Sequence, residues 1–320
     1  MYIRVMSPDQ IVYSVFGVVI FAALVIDLGL LSKKNAIISI KQAMRQTFFW
    51  VLLALAFFVF MWVEEGQKLA LEYVSGYLME WSLSIDNIFV FILIFDAFKV
   101  KEHYIPRALL IGIIIAILFR VIFITLGVAL VAKFAWIMYI FGLFLLYTGV
   151  KMFTAGDDDH FDPHHSAIYK WMQKLLPLTP HDGEGKYVIR QNGKPVYTSL
   201  FVVVVLLAAI DLVFALDSIP AVMGISTNSI VIYTSNIFAI LGLRSLFFLL
   251  RGAVNEFEHL QQGIAIVLVF IGLKMLGEHY ISMHIDKNGQ VILSLLVIVF
   301  CITGSIMYSI FTNKQKLKKH

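Results

Sequence analysis

Charge is scarce in this 320-residue sequence: Asp, Glu, Lys and Arg together make up 14% of it, against 60% hydrophobic residues. That balance, with a mean hydropathy of +0.87, excludes an ordinary soluble domain. Cysteine is nearly absent. Cys301 stands alone in an apolar run, so no internal disulfide can form, and the thiol reads as a small apolar residue rather than a metal ligand. No nucleotide-binding motif appears, so ATP hydrolysis within this chain is not expected as an energy source. No nucleophile motif appears either, and no enzyme is expected. The net charge of +4 comes without a basic stripe or an aromatic platform, which argues against nucleic acid as a partner.

What the chain has instead is apolar sequence in lengths that cross a bilayer. With about 20 apolar residues per crossing, nine candidate spans lie near 11–31, 47–63, 74–97, 107–131, 134–153, 199–223, 229–250, 260–276 and 291–311. The expected fold is an all-α polytopic membrane protein of about nine transmembrane helices, with the lipid bilayer as its surroundings. The first run is longer than a signal-peptide core and lacks a small-x-small cleavage site, so it is expected to stay attached. Lys33, Lys34, Lys41, Arg45, Lys99, Lys101, Arg107 and the lysines of the tail mark cytoplasmic loops, placing the N-terminus outside and the C-terminus inside.

The one long connection falls on the cytoplasmic side. It holds Asp157-Asp158-Asp159-His160 and His164-His165, read as a solvated loop, with divalent-ion binding as the alternative. An amphipathic piece from Trp171 to Leu176 follows. Asn192-Gly193 between apolar residues then predicts a β-hairpin with a type I′ turn.

Two stretches break the apolar pattern. Glu80 and Asp86, followed by Asn87, sit inside the third span, and Asp211 and Asp217, followed by Ser218, sit inside the sixth with the same spacing. A charge at mid-bilayer costs roughly 2.5–3.5 kcal/mol on insertion scales, so such groups face a protein interior or an aqueous cavity. The echo continues in Arg120 and Arg244, and in Gly149-Val150-Lys151-Met152 and Gly272-Leu273-Lys274-Met275. This is a three-helix repeat, and an odd number of crossings inverts the second copy relative to the first, as in secondary transporters. The chain divides into two leading spans (1–73), a first repeat (74–153), the cytoplasmic loop with its hairpin (154–198), the inverted second repeat (199–282), and a last span with a basic tail (283–320).

Helical geometry separates the acids of each pair. Residues six apart are turned by about 240°, whereas residues seven apart nearly share a face, so Glu80 aligns with Asn87 and Asp211 with Ser218. Pro220 is a candidate helix break or kink that would free the Leu216 carbonyl beside Asp217. Arg120 and Arg244 are expected to pair with buried carboxylates, while Lys151 and Lys274, near helix ends, are expected to snorkel. Asp27 reads either as an interfacial acid or as part of the polar centre. Asn236 offers an amide oxygen or serves as interhelical glue.

The runs Glu80 to Phe91, Phe214 to Ala221, Thr234 to Arg244 and Phe270 to Met275 resemble the TerC family of integral membrane proteins, closest to its Alx-type members, over nearly the whole chain. The resemblance implies a protein of the bacterial cytoplasmic (inner) membrane linked to manganese export, to supplying metal to exported enzymes, and to tellurite resistance and alkaline response. By motif matching it places a metal site on Glu80, Asp86, Asp211 and Asp217, with Asn87 and Asn236 nearby and Arg120, Arg244 and Asp27 as supporting charge. One position departs from the pattern: Ala208 stands where a Glu is expected.

The reading that follows is a secondary transporter exporting a divalent cation by proton antiport. Oxygen ligands without Cys or His suit Mn2+, Mg2+ or Ca2+, and the choice of Mn2+ among them comes from the resemblance. No tightly bound cofactor is expected. The alternative is a non-transporting membrane protein that hands metal to exported metalloproteins beside the protein-export machinery. An intramembrane hydrolase fits less well, because the acid motif is duplicated together with its flanking helices.

Overall fold

The computed structural model describes residues 8–29, 38–134, 136–154, 166–191, 193–251 and 260–317; the acid and histidine run at 157–165 lies outside them. Among the described residues eleven α-helices follow in order: α1 Pro8–Gly29, α2 Ile40–Glu64, α3 Gln67–Ala97, α4 Ile105–Lys133, α5 Ile137–Thr154, α6 Ala167–Leu175, α7 Ser199–Ile225, α8 Ser229–Leu250, α9 Leu260–Leu276, α10 Glu278–His284 and α11 Lys287–Leu317. Between α6 and α7, strands β1 Val188–Gln191 and β2 Lys194–Tyr197 pair antiparallel, from Val188 opposite Tyr197 to Gln191 opposite Lys194. The two-residue connection contains Gly193 at φ 78°, a left-handed conformation that glycine adopts without strain.

Among the described residues five helices, α2, α4, α7, α8 and α11, are long and apolar enough to cross a membrane. α9 and α10 make a sixth if that pair, bent by 82°, is one broken span. The expectation of nine rested on apolar runs alone. α1 and α5 carry shorter apolar stretches, Gln10–Ala23 and Ile137–Phe153. α3 is 31 residues long, but Glu72, Glu80 and Asp86 interrupt its apolar character. It begins at Gln67, ahead of the boundary expected at 74. Phe300, Met307 and Val63 expose most of their apolar surface, as lipid-facing side chains do.

α8 is enclosed almost along its whole length. The most extensive helix contacts pair α5 with α9, α3 with α8, and α4 with α7. Small residues allow these approaches. A Cβ built on Gly272 would lie 2.7 Å from the Gly142 carbonyl oxygen, and one on Gly149 would lie 2.8 Å from that of Ala265. The two contacts run in opposite senses along the helices, so α5 and α9 are antiparallel. Gly76 of α3 meets Ser235 of α8 in the same manner, and Gly112 of α4 meets Leu207 of α7. Near the same α3–α8 contact, Phe57, Tyr73, Tyr77 and Phe238 form an aromatic cluster that joins α2 to α3 and α8.

Two local expectations need correction. α7 runs through Pro220 as one helix, so the break proposed there does not occur. Lys274 does not snorkel: it is buried, and its ammonium donates to the Gly224 carbonyl oxygen and to Ser294. A lysine can turn inward where the protein itself supplies the acceptors.

The hairpin is fastened to the bundle. Thr198 is fully buried; its hydroxyl donates to the Lys186 carbonyl oxygen at 2.8 Å and accepts from Phe201 N, capping α7. Lys101 Nζ lies 2.7 Å from Asp182 Oδ2. The hydrogen bond from Lys101, with that from the Glu184 amide, holds the Asp182 carboxyl below its usual range, and Asp182 in turn raises the Lys101 ammonium. The contribution of Asp182 is therefore complete above the unfolded carboxyl value near ~3.9 and is lost as pH falls through its lower folded value. That of Lys101 is complete below ~10.4 and is lost as pH rises through its higher folded value. Hydrogen exchange at 182–198, normalised for intrinsic rate, should speed up about twofold on acidification below that window, as befits an exposed pair. Lys101→Ala should show no such acid step.

Candidate functional site

Four helices bring their polar side chains to one point. α4 contributes Arg120, which has no solvent exposure although it sits mid-helix among isoleucines and phenylalanines. Its guanidinium grips Asp211 of α7 with two parallel bonds, Nε to Oδ2 at 2.9 Å and Nη2 to Oδ1 at 3.1 Å. Nη1 donates to Glu80 Oε1 of α3, to Ser218 Oγ of α7 at 3.3 Å and to Asn236 Oδ1 of α8 at 3.2 Å. Asn236 is held in that pose by its own amide, which donates to the Ile232 carbonyl oxygen at 3.0 Å. An arginine suits this place because its charge cannot be shed and its planar fork matches a carboxylate edge.

Helical period explains who takes part. Asp211 and Ser218, seven apart, both reach Arg120. Asp217 is turned away and half-buried, and accepts from Thr148 Oγ1 of α5 at 3.2 Å. The expected six-residue metal set is therefore not gathered into one shell: Glu80, Asp211 and Asn236 converge, and Asp217 stands apart. Among the described residues no three acids, histidines or cysteines are grouped to hold a metal. Asn87 is buried on α3, and Arg244 is buried on α8. The side chains of Asp86 and Asp27 lie outside the described residues, although their backbones belong to α3 and α1.

Sequence reasoning missed Thr148, an ordinary residue in an apolar helix, and did not assign Ser218 a part in the centre although it aligned that residue with Asp211. The centre also holds spare capacity. Glu80 Oε2 and Ser84 Oγ are buried with no hydrogen-bond partner among the described residues. An unsatisfied carboxylate oxygen inside a protein is costly and draws a donor or a cation. Ala208 is buried on α7 and lines an apolar groove with Leu212, Ile115 and Trp171, so a carboxylate at this position would face hydrocarbon side chains.

Residues 65–317 match the Integral membrane protein TerC family. The chain belongs to that family. A membrane protein of Rickettsia felis, described as uncharacterized, is 42% identical over 293 residues, covering 92% of this chain and 96% of the relative. A Myxococcus xanthus membrane protein, likewise uncharacterized, is 41% identical over 278 residues, covering 87% and 86%. The Escherichia coli K12 protein Alx, named for a proposed role as a membrane-bound redox modulator, is 38% identical over 302 residues, covering 92% and 94%. No solved structure matches the chain. Family membership and several apolar helices make this TerC-family chain a multi-pass integral membrane protein.

Proposed function

We propose that this TerC-family chain is a secondary transporter that exports a divalent cation, Mn2+ first among the candidates, across the bacterial cytoplasmic membrane. The observation that carries the reading is the buried centre in which carboxylate, amide and hydroxyl oxygens of Glu80, Asp211, Asn236 and Ser218 surround the Arg120 guanidinium. Those are donors for a hard cation, and a guanidinium is what occupies them when no ion is there. With both carboxylates ionised, the single charge of Arg120 leaves one negative charge uncompensated, whereas a dication in place of the guanidinium balances both.

The two halves are read as inverted repeats, α3 to α5 and α7 to α9. Exchanging them turns the Gly142–Gly272 contact into the Ala265–Gly149 contact, and the α3–α8 crossing into the α7–α4 crossing. The antiparallel α5 and α9 support the inversion. Arg120 belongs to the first unit and Asp211 to the second, so their paired bonds tie the units together. A cation arriving from the cytoplasm competes for Asp211 and Glu80, displaces the guanidinium and releases that tie, which lets one unit rock against the other. After the ion leaves outward, protons accompany the return, and Arg120 closes on Asp211 again. Asp217, held by Thr148 across the same boundary, is the third carboxylate of the path.

The redox role named for the Escherichia coli relative finds no dithiol here, since Cys301 is the sole cysteine. Everted vesicles under an imposed pH gradient provide the test. Wild type should accumulate radioactive Mn2+ with proton movement in the opposite sense, and Asp211→Asn or Asp217→Asn should each reduce the rate by at least about tenfold, the effect of ~1.4 kcal/mol. Folded wild type that binds Mn2+ without moving it would overturn transport in favour of metal hand-over to exported proteins.

A further inference from the structure

At the end of the bundle opposite the hairpin, α3, α7, α9, α10 and α11 line a second polar space, an open cavity of about 350 Å³. Glu72 and Lys274 both line it, and both are buried, at 6% and 7% exposure. Glu72 accepts from the Ser226 hydroxyl, and Lys68 Nζ lies 3.7 Å away. Lys274 bridges Gly224 of α7 at 3.2 Å and Ser294 of α11 at 3.1 Å, and Glu278 of α10 and Lys68 of α3 line the same space. None of these residues belongs to the Arg120 centre.

The position relative to that centre is telling. Glu72 precedes Glu80 on α3, and Ser226, which caps the end of α7, follows Ser218, by the same two turns and a little more, roughly 12 Å. Between the two spaces α3 is closed against its neighbours. A Cβ on Gly76 would meet Ser235 Oγ at 3.0 Å and Val222 Cγ1 at 3.3 Å. The centre and the cavity are therefore two polar compartments in series, separated by a constriction at Gly76.

We infer that this cavity is a second divalent-cation site, the exit station of the transport path, with Glu72 as the receiving carboxylate and Lys274 as the resident positive charge that holds its place. The inference rests on the proposed export. The oxygens of Glu72 and Ser226 suit a hard ion, while the Asn228 side-chain oxygen caps α8 by accepting from Ile230 N at 2.8 Å; the volume admits an ion that keeps several of its waters. An ion at Glu72 repels the Lys274 ammonium, weakens its hold on Gly224 and Ser294, and so loosens α9 from α7 and α11 on the side where the ion must leave. Emptied, the site takes Lys274 back and the exit closes.

Thr227 stands exposed on the wall of the cavity, where a thiol can report occupancy without any transport. In purified full-length protein carrying Cys301→Ser and Thr227→Cys, modification by a charged methanethiosulfonate reagent should slow at least fivefold at saturating Mn2+. Glu72→Gln should abolish that protection, Glu72→Asp should retain part of it, and Lys274→Gln should produce it at a several-fold lower Mn2+ concentration. Asp211→Asn, which disables the Arg120 centre, should leave it intact. Equal rates with and without Mn2+, or protection that survives Glu72→Gln, overturns the exit site. Vesicle transport in a protein that shows no protection rejects this site and keeps export, whereas protection without transport rejects export and keeps the site.

Discussion

Arg120→Met should lower the stability of the folded protein by roughly 3–5 kcal/mol, the range for breaking a buried ion pair from one side. Glu80 and Asp211 stay behind in a space closed to water, with their counter-charge gone. A thermal melt of the purified protein should report this as a lower midpoint. Added Mn2+ or Ca2+ should then restore much of the loss, since an ion bound only by the folded state stabilises it by mass action. Arg120→Lys should fall between, because one ammonium cannot reproduce the two parallel bonds to Asp211. Arg120→Met combined with Asp211→Asn should recover part of the deficit, as expected for residues acting through a shared interaction. A single variant that melts like wild type and gains nothing from divalent ions would remove the case for an exchange of guanidinium and metal at this centre.

Gly272→Val should also be damaging, by a smaller amount and for a different reason. The first added carbon would lie 2.7 Å from the Gly142 carbonyl oxygen and 2.9 Å from Leu146 N, and backbone cannot swing aside as a side chain does. Forcing extra carbon into a packed interior costs about 1–3 kcal/mol, and here the strain falls on the seam between the two halves. The expected result is a sharp fall in monodisperse protein recovered after detergent extraction. Gly142→Ala, whose added carbon would sit 3.1 Å from the Gly272 oxygen, should be milder. Gly17→Ala, with nothing within 4 Å of the new carbon, should match wild type. Equal recovery of all three would show that the α5–α9 seam tolerates separation.

Charge in apolar sequence was the legible signal. Glu80, Arg120 and Asp211 could be singled out because each is expensive inside a bilayer unless paired, and Asn236 because it is polar in the same setting. Helical period also told which neighbours would follow them: Ser218 shares the face of Asp211, and Asp217 does not. Period cannot tell which helix lies opposite a face. That is why Thr148 escaped notice as the partner of Asp217, and Ser226 as that of Glu72. Lys274 misled for a related reason. Near a helix end its long stem reaches either water or an interior acceptor, and the acceptors, Gly224 and Ser294, come from two other helices. α3, at 31 residues, is long enough for a crossing in spite of its acids.

Thr198 binds the backbone of the hairpin segment with one atom and the first turn of α7 with the same atom. Its own amide donates to the Tyr187 carbonyl oxygen at 3.1 Å as well. The hairpin is consequently a handle on α7. A push applied at β1 and β2 is delivered to a rigid rod that carries Asp211 three turns further on, about 18 Å away. Movement of the hairpin is thus coupled to the carboxylate that clasps Arg120.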